Sequence, residues 1–293
     1  MRDSLYTISG FKAAFVFAHV FPRACSQWLA PRIGLASYAR SPDVQAAIHT
    51  NLQLATGLEG AALDAVCEKN VVNFSRMLAD YFLCAGPHAA AKAKSLLHYD
   101  GGEQHLAAAR APGTGVIVVT GHLGHWELGG LMLARLGLPL TVITLEEPSS
   151  ELTRWREACR RQLGIKTITV GPRHPFAFVE MMQTLRRNEL VAMLVDRPYA
   201  GSGACVELFG HKTEFSTAPA LLAHYTGATV LPAFVVHDGR GGYRTTAEAP
   251  VPMEKNGDAQ KTIAANTQRI ATVFEGVIRH HPDQWFNYVP LFG

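Results

Sequence analysis

The strongest constraint on what this chain can fold into is a rhythm that starts at Val116. Short runs rich in β-branched residues recur at 116–120, 140–145, 166–170, 190–196, 229–236 and 243–247. Stretches with helical spacing separate most of them, at 127–136, 149–163, 175–187 and 216–225, and another follows the last run at 259–280. Alternation of this kind predicts an α/β fold with a mostly parallel central sheet flanked by helices. In such a sheet the working side chains collect where the strands end, at their carboxyl termini. His122 follows one predicted strand directly and Asp196 ends another, so the two are expected on one rim.

The first hundred residues read differently. Ser41-Pro42-Asp43 is a helix start, with serine as the cap and proline in the first turn, and apolar positions keep helical spacing from Val44 to Leu58. A second helix is expected from Ala61 to Leu83, ended by Gly86-Pro87, and a short one from His88 to Leu97. The organisation is therefore a helical N-terminal region over 1–100 and an α/β region over 101–293, read as one integrated domain. The loop 250–258 is the expected flexible connection, and no internal repeat or low-complexity segment is present.

Apolar residues make up 48% of the 293 and charged residues only 17%, which implies a large core or a surface that prefers lipid. The run Ala13 to Phe21 is too short for the about 20 residues that a membrane span requires. Phe11, Phe15, Phe17, Phe21 and Trp28 beside Lys12, Arg23 and Arg32 instead fit a segment at about 11–38 lying in a membrane interface. A buried helical hairpin is the other reading of the same residues. A formal charge of +3 is far from a nucleic-acid signature. Five scattered cysteines without a C-x-x-C read as reduced thiols in a cytosolic setting.

The chemistry-bearing stretch is Thr120-Gly121-His122-Leu123-Gly124-His125-Trp126-Glu127, at the expected strand-to-helix turn. On a regular helix, positions five apart turn about 500°, leaving side chains roughly 140° apart. His122 and Glu127 therefore meet only if the histidine precedes the helix and the glutamate lies in its first turn. There the helix dipole disfavours an imidazolium and favours a carboxylate. A neutral histidine with an acid to hold it suits general-base activation of a hydroxyl group. His122 and His125 form His-x-x-His, but the zincin spacing and a third ligand motif are missing, so no metal is expected.

Several blocks, in order, resemble the bacterial lipid A biosynthesis (lauroyl/myristoyl) acyltransferases and related lysophospholipid acyltransferases. They are Asn51-Leu52, Asn73-Phe74 to Asp80-Tyr81, Gly121 to Glu127, Ala192 to Arg197, Glu207-Leu208-Phe209-Gly210 with Thr217 to Ala228, and His281 to Tyr288. His125 stands where that family more often has asparagine, and Arg197 where it often has glutamine. The resemblance implies a glycerolipid-acyltransferase-like fold and an O-acyltransferase. An acyl chain would pass from a thioester, on acyl carrier protein or coenzyme A, to a hydroxyl of a membrane lipid such as a lipid A precursor or lysophospholipid. It implies no cofactor beyond that co-substrate, and a peripheral location on the cytoplasmic face of an inner membrane.

On this reading His122 is the base and Glu127 its orienter. Arg160 or Arg161 contacts a phosphate-bearing substrate, and an arginine fork suits phosphate oxygens. Asp196 supports the histidine network or the acceptor, and Arg197 meets a phosphate. A backbone N–H near the turn, or Arg160/Arg161, stabilises the oxyanion, while Trp285 and Tyr288 serve packing and His125 lines the site wall. An acyl-thioesterase and a non-enzymatic lipid-binding protein are the competing functions. The residues leave open the acceptor, the chain length, the donor's carrier and the oligomeric state.

Overall fold

The computed structural model describes residues 7–86, 89–99, 101–146, 149–199, 201–255 and 257–292. The N-terminal helices are α1 (Ile8–Val20), α2 (Arg23–Tyr38), α3 (Pro42–Thr56), α4 (Gly60–Leu83) and α5 (Ala89–Leu96). Strand β1 (Leu97–Tyr99) and helix α6 (Glu103–Arg110) lead into the α/β part. There follow β2 (Val116–Thr120), α7 (Trp126–Arg135), β3 (Leu140–Leu145), α8 (Ser150–Gln162), β4 (Lys166–Val170), α9 (Ala177–Arg186) and β5 (Leu190–Leu194). The chain closes through β6 (Gly203–Leu208), β7 (His211–Ser216), α10 (Ala218–Thr226), β8 (Thr229–His237), β9 (Tyr243–Ala247), α11 (Ala259–His280) and a 3-10 turn at Pro282–Gln284.

The main sheet has seven strands in the order β1-β9-β8-β2-β5-β3-β4, all pairs parallel except β8 with β9. Its central strand shows why a β-branched run is needed here. Ile117 and Val119 pack on one face with Met181 and Leu185 of α9 and Ile270 and Phe274 of α11. Val116 and Val118 pack on the other with Leu133 of α7 and Ala109 of α6. A strand covered on both faces has no polar alternation to show, so the sequence reads as a continuous apolar run.

The hairpin β6–β7 is a feature that the periodicity does not reveal. Its two-residue turn is Phe209-Gly210, with φ of 55° and 80°. Positive φ at both positions is the type I′ geometry, usually signalled by Asn-Gly. Phe209 takes that conformation while its ring is buried 5.7 Å from the Trp285 ring. Strand β1 and helix α6 likewise lie outside the sequence reading, being too short for their period to register. Helix α5 falls on the expected short helix, whose first residue, His88, lies outside the described residues, as does Pro87.

A buried polar knot joins the N-terminal helices to the sheet. Arg23, at the start of α2, grips Asp80 of α4 with two hydrogen bonds of 2.7 Å. Asp80 Oδ2 also accepts from the Tyr243 hydroxyl of β9 at 2.9 Å. Asp80 is only 1% exposed, so its charge depends on these partners. Removing it leaves a half-buried guanidinium and a buried hydroxyl unmatched. Asp80→Ala is expected to lower unfolding free energy by about 1–3 kcal/mol, measured as the shift of a urea midpoint. Asp80→Ala with the wild-type midpoint would contradict this account of how α2, α4 and β9 are joined.

Candidate active site

Register alone brings the central residues together. Thr120 pairs with Leu194 in the parallel β2–β5 ladder. Two residues further along each strand stand His122 and Asp196, at the carboxyl rim. His122 Nδ1 lies 2.8 Å from Asp196 Oδ1, and the His122 backbone N–H donates to both carboxylate oxygens at 3.1 and 3.0 Å. Asp196 also accepts from Trp285 Nε1 at 3.1 Å and Asn287 Nδ2 at 3.0 Å. A carboxylate cannot donate, so the proton on Nδ1 faces Asp196 and Nε2 is left as the basic nitrogen. Arg197 Nε lies 3.2 Å from Nδ1, which is already committed as a donor, so the arginine acts there through its charge.

The turn is shaped by two glycines for different reasons. A Cβ at Gly121 would lie 2.9 Å from Phe274 and 3.1 Å from Asp196 Oδ2, so the carboxylate needs that space. Gly124 has φ of +60°, and a Cβ there would fall 1.8 Å from the Val235 carbonyl oxygen. The closing segment then clamps the turn. Gly124 N–H donates to Gln284 O at 2.9 Å, and Phe286 N–H donates to His122 O at 2.6 Å. His125 N–H donates to Val235 O at 2.7 Å. On α4, Asn70 donates to Trp285 O and Asn73 to Asp283 O, which holds the clamp from behind.

The expectation that Glu127 orients His122 is corrected by this geometry. Glu127 does lie in the first turn of α7, but its carboxylate faces α8. Arg156 Nη2 donates to it at 2.8 Å, and Arg160 donates through Nη2 at 2.5 Å and Nε at 3.2 Å. The two arginines are one helical turn apart and close on the acid together. Arg160 is therefore a buried partner of Glu127 rather than a free phosphate ligand, while Arg161 is exposed on α8. The orienter's place is held by Asp196. Its further donors, Trp285 and Asn287, come from the closing segment, where sequence reasoning assigns the tryptophan to packing alone.

His125 lies behind the turn rather than in its wall. It is fully buried, 5.0 Å from the Tyr243 ring, so the two histidines of His-x-x-His face different neighbours. Burial pushes its pKa down to about 4, against the opposing pull of Asp80 and Glu127.

Electrostatics give each group one charge state. Burial lowers the His122 pKa, outweighing the raising effect of Asp196, and Arg197 lowers it further. Burial would raise Asp196, but the His122 contacts and Arg197 outweigh that and keep it ionised. Burial likewise acts upward on Glu127, and Arg160 and Arg156 overcome it, bringing the pKa down to about 2. At neutral pH the site thus holds a neutral imidazole between a carboxylate and a guanidinium. With 21% of its side chain exposed, His122 is within reach of a ligand.

An apolar cavity of about 60 Å³ opens beside the turn, between α7 and the sheet. Trp126, Gly129, Gly130, Val118, Ala192 and Leu231 are among its walls, and the Trp126 ring lies 5.4 Å from the His122 ring.

Comparison with known proteins adds independent findings. The family model described as bacterial lipid A biosynthesis acyltransferase matches residues 5–292. A phosphatidylinositol mannoside acyltransferase of Mycobacterium tuberculosis is 30% identical over 248 residues, covering 83% of this chain and 75% of that protein. The enzyme of the same name from Mycolicibacterium smegmatis is 29% identical over 189 residues, covering 64% of this chain and 59% of that protein.

The two acids give separable predictions. Asp196→Asn keeps the shape but not the charge that fixes the ring, and is expected to abolish most turnover with KM little changed. Glu127→Gln is expected to lower the unfolding free energy, because it removes the negative charge that the buried Arg160 and the partly buried Arg156 share. Parallel steady-state kinetics and urea unfolding of both variants check this. Acid lability follows from the lowered pKa values of His125 and Glu127. The unfolded chain binds their protons first, so both lose stability as pH falls, His125 between 6.5 and about 4 and Glu127 between 4.5 and about 2. His125→Asn should flatten the upper part of that fall when urea midpoints are followed against pH.

Proposed function

The chain belongs to the bacterial lipid A biosynthesis acyltransferase family, an enzyme family whose reaction is acyl transfer to a lipid, and we propose the following chemistry for it. A fatty acyl chain passes from an acyl thioester, carried on acyl carrier protein or coenzyme A, to a hydroxyl group of a membrane lipid. The observation that carries this reading is the His122–Asp196 pair, in which Nδ1 is held at 2.8 Å and Nε2 is bonded by none of the described residues.

In the first step His122 Nε2 takes the proton of the acceptor hydroxyl as the oxygen attacks the thioester carbonyl. The carbonyl π electrons move onto its oxygen, and Asp196 stabilises the imidazolium that forms. The backbone N–H groups of His122, Gly124 and His125 are already bonded to Asp196, Gln284 and Val235. Among the described residues the cation in contact with the imidazole is Arg197, and we assign to it, rather than to Arg160 or Arg161, the stabilisation of the developing oxyanion through its charge. When the oxyanion collapses, the carbon–sulfur bond breaks, and the departing thiolate recovers the proton from His122. At about 60 Å³, the apolar cavity past Trp126 has room for only the first few methylene groups of the donor's chain.

The acceptor carries its reacting hydroxyl away from any cluster of phosphates. Arg156 and Arg160 are occupied by Glu127, and among the described residues Arg197 is the cation in contact with His122. A lysophospholipid or a glycosylated phospholipid fits that better than a heavily phosphorylated lipid A precursor. The relatives named for phosphatidylinositol mannosides favour the glycosylated choice.

The enzyme meets its lipid at a membrane surface. Val16, Val20, Phe21, Trp28 and Ile33 of the α1–α2 region are exposed, and the Arg32 guanidinium stacks 3.9 Å over the Trp28 ring. Among the described residues no helix is long and apolar enough to cross a membrane, so contact through this face would be peripheral. We assign it to the cytoplasmic face of an inner membrane, where acyl thioesters are made.

His122→Ala is expected to lower transfer from a radiolabelled acyl thioester into extracted lipid by about 100- to 10,000-fold; full retained activity would refute the proposal. Lipid mass spectrometry of a deletion strain names the acceptor, as the lipid class that loses one acyl chain. Release of free fatty acid with no lipid product would favour a thioesterase.

A further inference from the structure

A second apolar patch lies across the rim from α1 and α2. Helix α9 buries Ala177, Met181, Thr184 and Leu185. Its outward stripe begins at Phe176 and Val179, which are 70% and 42% exposed, and continues through the exposed Glu180, Gln183 and Arg186. Phe176 and Val179 thus stand at the carboxyl-rim end of this face, with the exposed Glu180 in the same turn, and the face is polar beyond it. Leu145, the last residue of β3, is 48% exposed at the same rim.

Topology places this patch relative to the first. Helix α9 packs on the face of the sheet that carries Ile117 and Val119, and α7 packs on the face that carries Val116 and Val118. Helix α1 lies outside α8: Phe11 and Phe15 meet Trp155, and Lys12 pairs with Glu151 in the first turn of α8 at 3.2 Å. That turn follows the carboxyl end of β3, so α1 reaches the rim where His122 opens. One patch thus stands on α1 and α2, the other at the start of α9, with the ends of β2, β5 and β3 nearby.

We propose that Phe176 and Val179, with Leu145, form a second membrane-contact point, so that the carboxyl rim rests on a lipid leaflet through both patches. The occupant is the bilayer surface. This rests on the acceptor being drawn from a bilayer: a lipid that keeps its chains in the leaflet can present a headgroup hydroxyl only to a site held against that leaflet. Contact through α1 and α2 alone would leave the enzyme free to pivot about one edge. A second contact fixes the height of His122 above the headgroups.

The test compares Phe176→Ser/Val179→Ser with Tyr225→Ser, a control at the opposite rim. Tyr225 is 57% exposed at the end of α10, just before β8 begins. All three side chains are exposed, so none of these changes threatens folding. Sedimentation with vesicles of equimolar phosphatidylcholine and phosphatidylglycerol, without donor or acceptor, reads binding directly. The double variant should bind about tenfold more weakly, roughly 1.4 kcal/mol, and Tyr225→Ser should bind as the wild type does. Equal binding by all three proteins would overturn the proposal. So would a double variant with wild-type vesicle binding but a raised KM for a carrier-bound donor, because the patch would then dock the donor protein. Failure of the acyl-transfer reading would look different: wild-type protein would bind vesicles and turn over no donor.

Discussion

One buried carboxylate holds the working part of this molecule together. Asp196 receives the His122 ring, the His122 backbone, the Trp285 indole and the Asn287 amide. Those donors come from the end of β2 and from the segment after α11, and the acid itself stands just past β5. A single ionised oxygen pair therefore fixes the tautomer of the base, the shape of the turn that carries it and the seat of the closing segment. A buried carboxylate with this many donors stays charged, because each hydrogen bond favours the ionised form. The imidazole beside it is desolvated and stays neutral, which is the state that accepts a proton.

The second acid of the motif does structural work. Glu127 with Arg156 and Arg160 pins the start of α7 to α8. This arrangement keeps the cavity beside Trp126 between two fixed walls. It also commits the guanidinium groups of Arg156 and Arg160 to a protein carboxylate. Behind it, the Arg23–Asp80–Tyr243 knot ties the start of α2 to the sheet. The exposed α1–α2 surface and the turn that carries His122 are thus tied to one sheet.

The sheet is legible in the sequence because strands buried on both faces must be written as β-branched runs. The helices are legible because a start such as Ser41-Pro42-Asp43 and apolar positions at helical spacing mark them. The hairpin is not, because Phe209 adopts positive φ for a packing reason that lies in Trp285, far along the chain. The site divides in the same way. His122 shows itself by its glycines and its place after a strand, and Asp196 by its place at a strand end. That they meet depends on the β2–β5 register, which no local spacing encodes. Nearness in sequence instead favours Glu127, whose side chain turns to α8 once the helix begins. Trp285 and Asn287 carry no local signal at all, since an aromatic and an amide near a chain end look the same whether or not a carboxylate waits for them.

The central claim is that His122 is a neutral base whose Nδ1–H is held by Asp196. Heteronuclear NMR of the His122 ring nitrogens at neutral pH tests it most directly. The account predicts a single tautomer, protonated on Nδ1 and bare on Nε2, which loses its preference in Asp196→Asn and keeps it in Glu127→Gln. An imidazolium, a proton on Nε2, or a tautomer that follows Glu127 instead of Asp196 would contradict it.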